Sequence, residues 1–366
     1  MIVAIVANTA WNLYNFRRSL IDALLKEDYR VLLIAPDGPE RERLKATGVE
    51  YITLRNLRRK GLNPLRDLAL LNELRGIYRQ QKVTVALHFT IKPVIYGSLA
   101  ARLTGVRNIS TLTGLGYTFL SGDRANGLVR IMYRNALRHA ETVFFHNPDD
   151  RQLFLDGGLV TGAQSGVVAG SGLRLEDYPL SPYSEAIPGR FLFVARLLTD
   201  KGIREYVAGA RAAKAVNPSL TFHVLGPFDP DNPSEIGAEE LKQWVAEGVI
   251  FYEGATMDVR SHLARASVVV LPSYREGCPR ALLEGGATGR PLLATDVPGC
   301  RAVVTDSYNG FLVPPRDAEA LASVMLKMSA LPTGDLEQMG LRARTVVEER
   351  FDLRMVNGDY LYVVAR

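Results

Sequence analysis

Short runs of β-branched and aliphatic residues alternate with stretches of helical periodicity along the whole chain. This is the pattern of a parallel sheet covered by helices. In the first half it predicts strands at Ile2–Ala7, Arg30–Ala35, Tyr51–Leu54, Val83–Phe89, Asn108–Leu112, Thr142–His146 and Gly166–Ala169. Helices are predicted between them at Asn15–Lys26, Pro64–Gln80, Val94–Leu103 and Ala125–Arg138. Several strands are apolar almost throughout, as strands buried on both faces are. From Gly170 to Gly189 the chain carries Gly170, Gly172, Pro179, Pro182, Pro188 and Gly189, a linker composition. The alternation then restarts. Strands are predicted at Phe191–Ala195, Thr221–Leu225, Val249–Tyr252, Val268–Leu271, Pro291–Ala294 and Gly310–Val313. Helices are predicted at Gly202–Val216, Ala281–Gly289, Ala318–Met328 and Asp335–Arg350. The reading is α/β, with two doubly wound domains at residues 1–180 and 181–350. Ligands of such sheets sit at the carboxyl ends of strands, so the expected site is a cleft between two facing sheets.

Composition narrows this reading. The 366 residues are 47% hydrophobic and 23% charged, ordinary for a globular protein. Two cysteines, Cys278 and Cys300, exclude a disulfide framework and a Cys-rich zinc site. The N-terminus lacks a basic region and a long apolar core, and no run of about 18 apolar residues occurs. A cytoplasmic location is expected, with surface attachment to a membrane left open. The net charge of +5 is uneven: residues 1–180 hold 24 Lys and Arg against 16 Asp and Glu, the remainder 20 against 23. Two domains with different partners would give such a split.

Candidate chemistry concentrates in the second half. The segment LPSYREGCPRALLEGGATGRPLLATDVPG starts at Leu271 and holds Glu276 and Glu284 at a strand-to-helix turn. Pro279 fits the first helical turn, where its missing N–H costs nothing. That leaves Glu276 in the loop and Glu284 about a turn and a half inside the helix. Backbone N–H groups near Gly277 and Cys278 would suit an anion or a polar sugar. Upstream, Arg196 and Lys201 lie in the turn of FLFVARLLTDKG, between a strand and a helix start. Two cations there oppose the helix dipole, which favours a functional role over a structural one. Asp229-Pro230-Asp231 has the spacing of a metal-binding acidic pair, but in a Pro-rich loop.

The Glu276–Glu284 segment resembles the E-x7-E region of family 4 nucleotide-sugar glycosyltransferases, which have the two-domain GT-B fold. The flanking LPS-x-x-EG-x-P, GRP and DVPG elements make the match specific. The resemblance implies that Glu276 contacts the transferred sugar and that Glu284 holds the ribose hydroxyls, a carboxylate accepting from a vicinal diol. It also implies that Arg196 and Lys201 face the donor diphosphate, where they would stabilise the leaving group. Val224-Leu225-Gly226-Pro227 resembles the end of a donor-domain strand, and Val249–Gly254 with Met257 and Asp258 the loop near the base. Residues 351–366 resemble a final helix crossing back to the first domain. Metal independence and no cofactor are further implications, the nucleotide sugar being a substrate.

The first half is less diagnostic. The loop after the first strand, Asn8 to Arg18, has no glycine where many family members are Gly-rich. Thr113 stands where many place a histidine. Thr-Gly-Leu-Gly-Tyr at 113–117, with Thr90-Ile91-Lys92-Pro93 upstream, resembles a bacterial branch that builds cell-surface polysaccharide or lipid-linked oligosaccharide. Acceptor-side candidates are His88, Lys92, Thr113, Gly114, Gly116 and Tyr117. For His88 the alternative is a satisfied structural residue, for Lys92 a solvated loop, and for the two glycines a plain turn. The excess charge gathers at Arg55, Arg58, Arg59, Lys60 and Arg66, and at Arg130, Arg134 and Arg138 beside Leu128, Ile131 and Met132. Either set suits an anionic membrane surface or a lipid diphosphate, or is a solvated face.

The expected function is retaining transfer of a hexose or N-acetylhexosamine from an NDP-sugar, UDP-sugar foremost, to a polysaccharide or polyprenyl-diphosphate-linked glycan. The expected place is the inner face of the cytoplasmic membrane. The alternative is a nucleotide-sugar epimerase on the same fold. Nucleic-acid binding fits the pI of about 9.1, but the chain has no aromatic RNA-binding motif or zinc finger. Cys278 has no histidine nearby in sequence and reads as a small loop residue rather than a nucleophile.

Overall fold

Along β1 (Ile2–Val6), Val3 and Ile5 enter one apolar core and Ala4 and Val6 another. The strand is therefore covered by helices on both faces, as its unbroken apolar sequence requires. The computed structural model describes residues 1–58, 63–115, 124–230 and 232–366, with the backbone alone for 124–126. The chain divides into two compact units, Met1–Ser171 with Leu353–Arg366, and Gly172–Asp352.

The first unit holds a seven-stranded parallel sheet. It comprises β1, β2 (Arg30–Ala35), β3 (Glu50–Thr53), β4 (Val85–Phe89), β5 (Arg107–Leu112), β6 (Thr142–Phe145) and β7 (Ser165–Val167), in the order β3-β2-β1-β4-β5-β6-β7. The C-terminal helix Leu353–Ala365 belongs to this unit and buries Val356, Tyr360, Val363 and Val364 in its core. Arg107 fixes the end of that helix by donating to the carbonyls of Val363 and Val364 at 2.8 and 3.0 Å.

The second unit repeats the winding in six strands. These are β8 (Arg190–Val194), β9 (Thr221–Leu225), β10 (Phe251–Tyr252), β11 (Val268–Leu271), β12 (Leu292–Thr295) and β13 (Gly310–Val313), ordered β10-β9-β8-β11-β12-β13. Every pair in both sheets is parallel. Strand order reverses between β1 and β4 in one sheet and between β8 and β11 in the other. The loops leaving such neighbours diverge to opposite faces and open a crevice at their carboxyl ends. Residues 7–9 and 90–93 border that point in the first unit, residues 195–202 and 272–279 in the second.

Three local differences from the sequence expectation have physical causes. The segment expected as one helix from Val94 begins as a π-helical turn, Pro93–Gly97, before the α-helix Ser98–Thr104. Gly97 backs onto the His88 imidazole, which fills the space a Cβ would need. The Gly- and Pro-rich stretch after Gly172 packs on the second unit instead of running free. Tyr183 is buried and its hydroxyl donates to the Ser267 carbonyl at 3.0 Å, and Ile187 N–H donates to Arg265 O at 3.0 Å. Helices at Pro148–Asp156, Ala238–Ala246 and Arg260–Arg265 lie outside the expected set. The first is set by its cap: Asn147 Oδ1 accepts from Asp150 N–H at 2.8 Å, Pro148 occupies the first turn, and Asp149 and Asp150 face the positive end of the helix.

Candidate functional site

The turn after β8 carries both expected cations. Leu198 and Lys201 N–H groups bond back to Arg196 O and Leu198 O at 2.8 and 3.0 Å, closing a 3-10 turn over Thr199–Lys201. Gly202 ends it in the left-handed region, at φ +73°, and starts the helix Ile203–Val216. A side chain at 202 would run into the Pro272 carbonyl, so glycine lets this turn press against the end of β11. Gly226, at the end of β9, abuts the Ala195 carbonyl in the same way. Its own carbonyl accepts from the Tyr252 hydroxyl at 3.0 Å.

The loop after β11 is tied to that turn. Tyr274 N–H and Ser273 Oγ both donate to Asp200 O, at 2.9 and 3.0 Å. Gly299 closes over the Glu276 backbone, where a Cβ would meet the Glu276 carbonyl. Glu276 is thereby held facing Lys201, and Lys201 Nζ donates to its Oε1 at 2.5 Å with both side chains largely buried. Gly277 is buried and Cys278 partly so. Burial and the nearby Glu276 carboxylate push the Cys278 thiol up to about 12, so it stays protonated at neutral pH and is no nucleophile. Pro279 is not inside the first turn as expected. It is the extended residue ahead of the helix Arg280–Ala287, and its carbonyl accepts from Leu282 and Leu283 N–H at 3.1 and 3.3 Å.

Glu284 is the fifth residue of that helix and is 8% exposed. The helix lies flat because Gly285 faces Val269 of β11 and Gly286 faces Val347 of the helix Thr333–Arg350, each with little room for a Cβ. Two glycines inside a helix cost about 1 kcal/mol each relative to alanine. Here they let the helix pack closely on β11 and on the helix Thr333–Arg350, with Glu284 largely buried. Oε1 of Glu284 accepts from the Tyr178 hydroxyl at 2.7 Å and from Arg280 Nε at 2.6 Å. Burial and the Glu284 charge raise the Tyr178 phenol well above its ordinary value, so it remains a donor. The same side of the unit has a cavity of about 260 Å³ lined by Tyr178, Pro179, Ser181, Arg260, Ser261, Ala264 and Thr288.

Arg196, 42% exposed at its side chain, pairs with Asp229, whose carboxylate also accepts from Asn232 Nδ2 at 3.3 Å. Asp229 is thus engaged by a cation. Asp231 lies outside the described residues. Asp229 (singled out only in a metal-spaced acidic pair), Tyr178 and Arg280 are the site neighbours whose contacts sequence reasoning did not foresee. Their contacts span 33, 106 and 4 positions, and only the last, an i,i+4 pair on one helix, had a sequence signal.

The first unit gives its candidates different surroundings. His88 is fully buried. Its Nε2 lies 2.7 Å from the Tyr78 hydroxyl and its Nδ1 2.8 Å from Asn108 Oδ1. Burial holds it down at about 4. With both nitrogens engaged inside the protein, the structural alternative describes it, and it takes no proton from a substrate. Lys92 donates to the buried Asp67 at 2.9 Å, so it is an ion-pair partner rather than a solvated loop residue or a free phosphate ligand. Thr113 and Gly114 follow β5 and are partly buried. Gly116 and Tyr117 lie outside the described residues.

One buried residue of this unit had gone unselected. Arg17 is 2% exposed on the inner face of the helix Ala10–Lys26, with its guanidinium 3.9 Å over the Phe89 ring. Its signal was spacing: residues 10, 13, 17, 20, 21 and 24 share the buried face.

Two family models match this chain. Glycosyl transferase 4-like covers residues 3–147 and Glycosyl transferases group 1 covers residues 188–330. The Campylobacter jejuni N,N'-diacetylbacillosaminyl-diphospho-undecaprenol alpha-1,3-N-acetylgalactosaminyltransferase is 26% identical over 340 residues, 88% of this chain and 88% of that protein. An Escherichia coli UDP-Gal:alpha-D-GlcNAc-diphosphoundecaprenol alpha-1,3-galactosyltransferase is 23% identical over 291 residues, 74% of this chain and 72% of that protein. Among solved structures, Anabaena HepE in complex with UDP and glucose superposes with a TM-score of 0.81 at 18% identity, over 100% of this chain and 99% of that one. Matching winding in both sheets, family models on both halves and glycosyltransferase relatives agree: the chain belongs to the family 4 glycosyltransferases of GT-B fold.

Proposed function

We propose that this glycosyltransferase moves a hexose or N-acetylhexosamine from a UDP-sugar to a polyprenyl-diphosphate-linked glycan, with retention and without a metal. The observation that carries the reading is the switch point of the second sheet. There Lys201, paired with Glu276, and Arg196 sit on the turn after β8, with Glu284 on the helix beyond. Diphosphate as leaving group gains negative charge as the glycosidic bond breaks. Arg196 can fork onto two of its oxygens and Lys201 acts as a point charge, both worth most at that moment. Glu284 has Oε1 fixed by Tyr178 and Arg280, which orients Oε2 to accept from a ribose diol. Glu276 aligns Lys201 and takes hydroxyls of the transferred sugar.

Double displacement would need a second carboxyl group about 5 Å from a nucleophile. Glu276 instead faces a lysine. We therefore assign front-face transfer, in which the departing phosphate helps deprotonate the acceptor hydroxyl. The acceptor class follows the relatives, two of which are named for diphospho-undecaprenol substrates.

Membrane contact is proposed for the first unit. Leu65 and Leu68 stand exposed beside Arg66, and Leu128 and Ile131 beside Arg134 and Arg138. That pairing of apolar and basic groups suits an anionic lipid surface. No helix among the described residues is long and apolar enough to cross a membrane.

The test is incubation with a panel of UDP-hexoses and UDP-N-acetylhexosamines, with and without an undecaprenyl-diphosphate-linked saccharide, in EDTA. The expected result is one UDP-sugar consumed only with acceptor, giving a product of unchanged anomeric configuration. Isomerised free nucleotide sugar without acceptor would establish an epimerase. Loss of turnover in EDTA, restored by a divalent ion, would overturn metal independence.

A further inference from the structure

The crevice of the first sheet carries chemistry of its own. Arg17 is buried and, among the described residues, no carboxylate pairs with it. Its Nε has no hydrogen-bond partner. Its guanidinium lies over the face of Phe89, the last residue of β4. The next residue, Thr90, is held at φ +71°, a strained region for a β-branched residue, and its buried hydroxyl oxygen also lacks a partner. His146 follows the end of β6. It is 5% exposed, within electrostatic range of Arg17, and its Nε2 is buried without a partner. Buried polar atoms are nearly always satisfied, yet three of the exceptions belong to segments that follow strands of one sheet: Arg17 on the helix after β1, Thr90 directly after β4 and His146 directly after β6.

We propose that Arg17, Thr90 and His146 form an anion-binding site for a phosphoryl group. If the transferase reading above holds, that group is the diphosphate of the lipid-linked acceptor. A phosphoryl oxygen supplies what each orphaned group lacks. It accepts a charge-assisted fork from the guanidinium, an O–H bond from Thr90 and an N–H bond from the imidazole. Burial pushes the Arg17 guanidinium down to about 10, so it is still charged at neutral pH. Burial and the Arg17 charge hold His146 down at about 3, which keeps its ring neutral, with one N–H to give. The strain at Thr90 is then part of the site.

The test is titration of inorganic pyrophosphate into the full chain saturated with UDP, so that the Arg196–Lys201 turn is already filled. Binding is followed at the His146 ring nitrogens by NMR. The expected result is a saturable shift that weakens at least tenfold in Arg17→Gln and is partly kept in Arg17→Lys. UDP affinity and the thermal transition serve as checks that each variant is folded. No saturable shift in the wild type, or equal affinity in a folded Arg17→Gln, overturns the site. A second arm compares citronellyl diphosphate with citronellol. Binding of the diphosphate but not the alcohol supports the acceptor as source, whereas pyrophosphate binding without citronellyl diphosphate binding overturns that assignment. An Arg17-dependent pyrophosphate site in a chain that transfers no sugar would separate failure of the transferase reading from failure of this one.

Discussion

The two sheets share one winding, yet their crevices are furnished in opposite ways. In the second, each cation has an acid: Lys201 meets Glu276 and Arg196 meets Asp229. In the first, Arg17 is buried against an aromatic face with no acid beside it among the described residues. A paired, partly exposed cation can exchange its partner for a ligand at modest cost. A buried, unpaired one destabilises the empty protein until an anion arrives. The same topology thus offers one crevice where Lys201 and Arg196 can trade counter-ions and another where Lys92 keeps Asp67 while Arg17 has no acid among the described residues.

The largest expected effect falls on the paired crevice. Lys201→Ala should lower kcat by about 10²- to 10³-fold, as loss of one preorganised charge at a leaving group does. It should leave UDP affinity nearly intact, which steady-state kinetics beside a UDP titration would show.

The next effect falls on the first unit. His88 is held at about 4 and His146 at about 3, whereas an unfolded chain binds a proton near 6.5. Both are neutral in the fold, so their stability contribution is complete above pH 6.5. It is lost as pH falls toward 4, where His88 alone would cost about 3 kcal/mol. Calorimetry across pH 7 to 4 should show the first unit melting earlier, with the second less affected.

Arg17→Met sharpens the comparison further. It removes a buried charge with no acid partner among the described residues and should raise the melting temperature of the first unit by the equivalent of about 1–2 kcal/mol, while weakening pyrophosphate binding. A fall in melting temperature would show that the charge is stabilised by contacts other than Phe89. The smallest effect is at Tyr178→Phe, where loss of one hydrogen bond of about 1 kcal/mol should weaken UDP about fivefold. Calorimetric titration would read it.

The legibility of the sequence followed the range of the interactions involved. The thirteen strands among the described residues were predictable to within a few residues: central ones such as β1, β2, β8 and β11 by their nearly unbroken apolar runs, edge ones such as β3, β7 and β10 only by short β-branched or aromatic stretches. Glu276, Glu284, Arg196 and Lys201 were legible because they share short local segments. Their partners Asp229 and Tyr178 were not, since 33 and 106 residues separate the bonded groups. For His88 the sequence leaves an acceptor-side role and a structural one open, and its bonds to Tyr78 and Asn108, from elements that only the fold brings together, decide for the structural one. Arg17 was hidden differently: its place on a buried helical face was readable, but a charge there runs against the usual pattern.

The claim that the second sheet's crevice holds the donor nucleotide through Glu284 is tested most directly by calorimetric titration of UDP into the wild type and Glu284→Ala. The account predicts one UDP site per chain, weakened about 10- to 100-fold in the variant, as loss of a buried acceptor of two hydroxyls requires. Equal UDP affinity in a folded Glu284→Ala would contradict it.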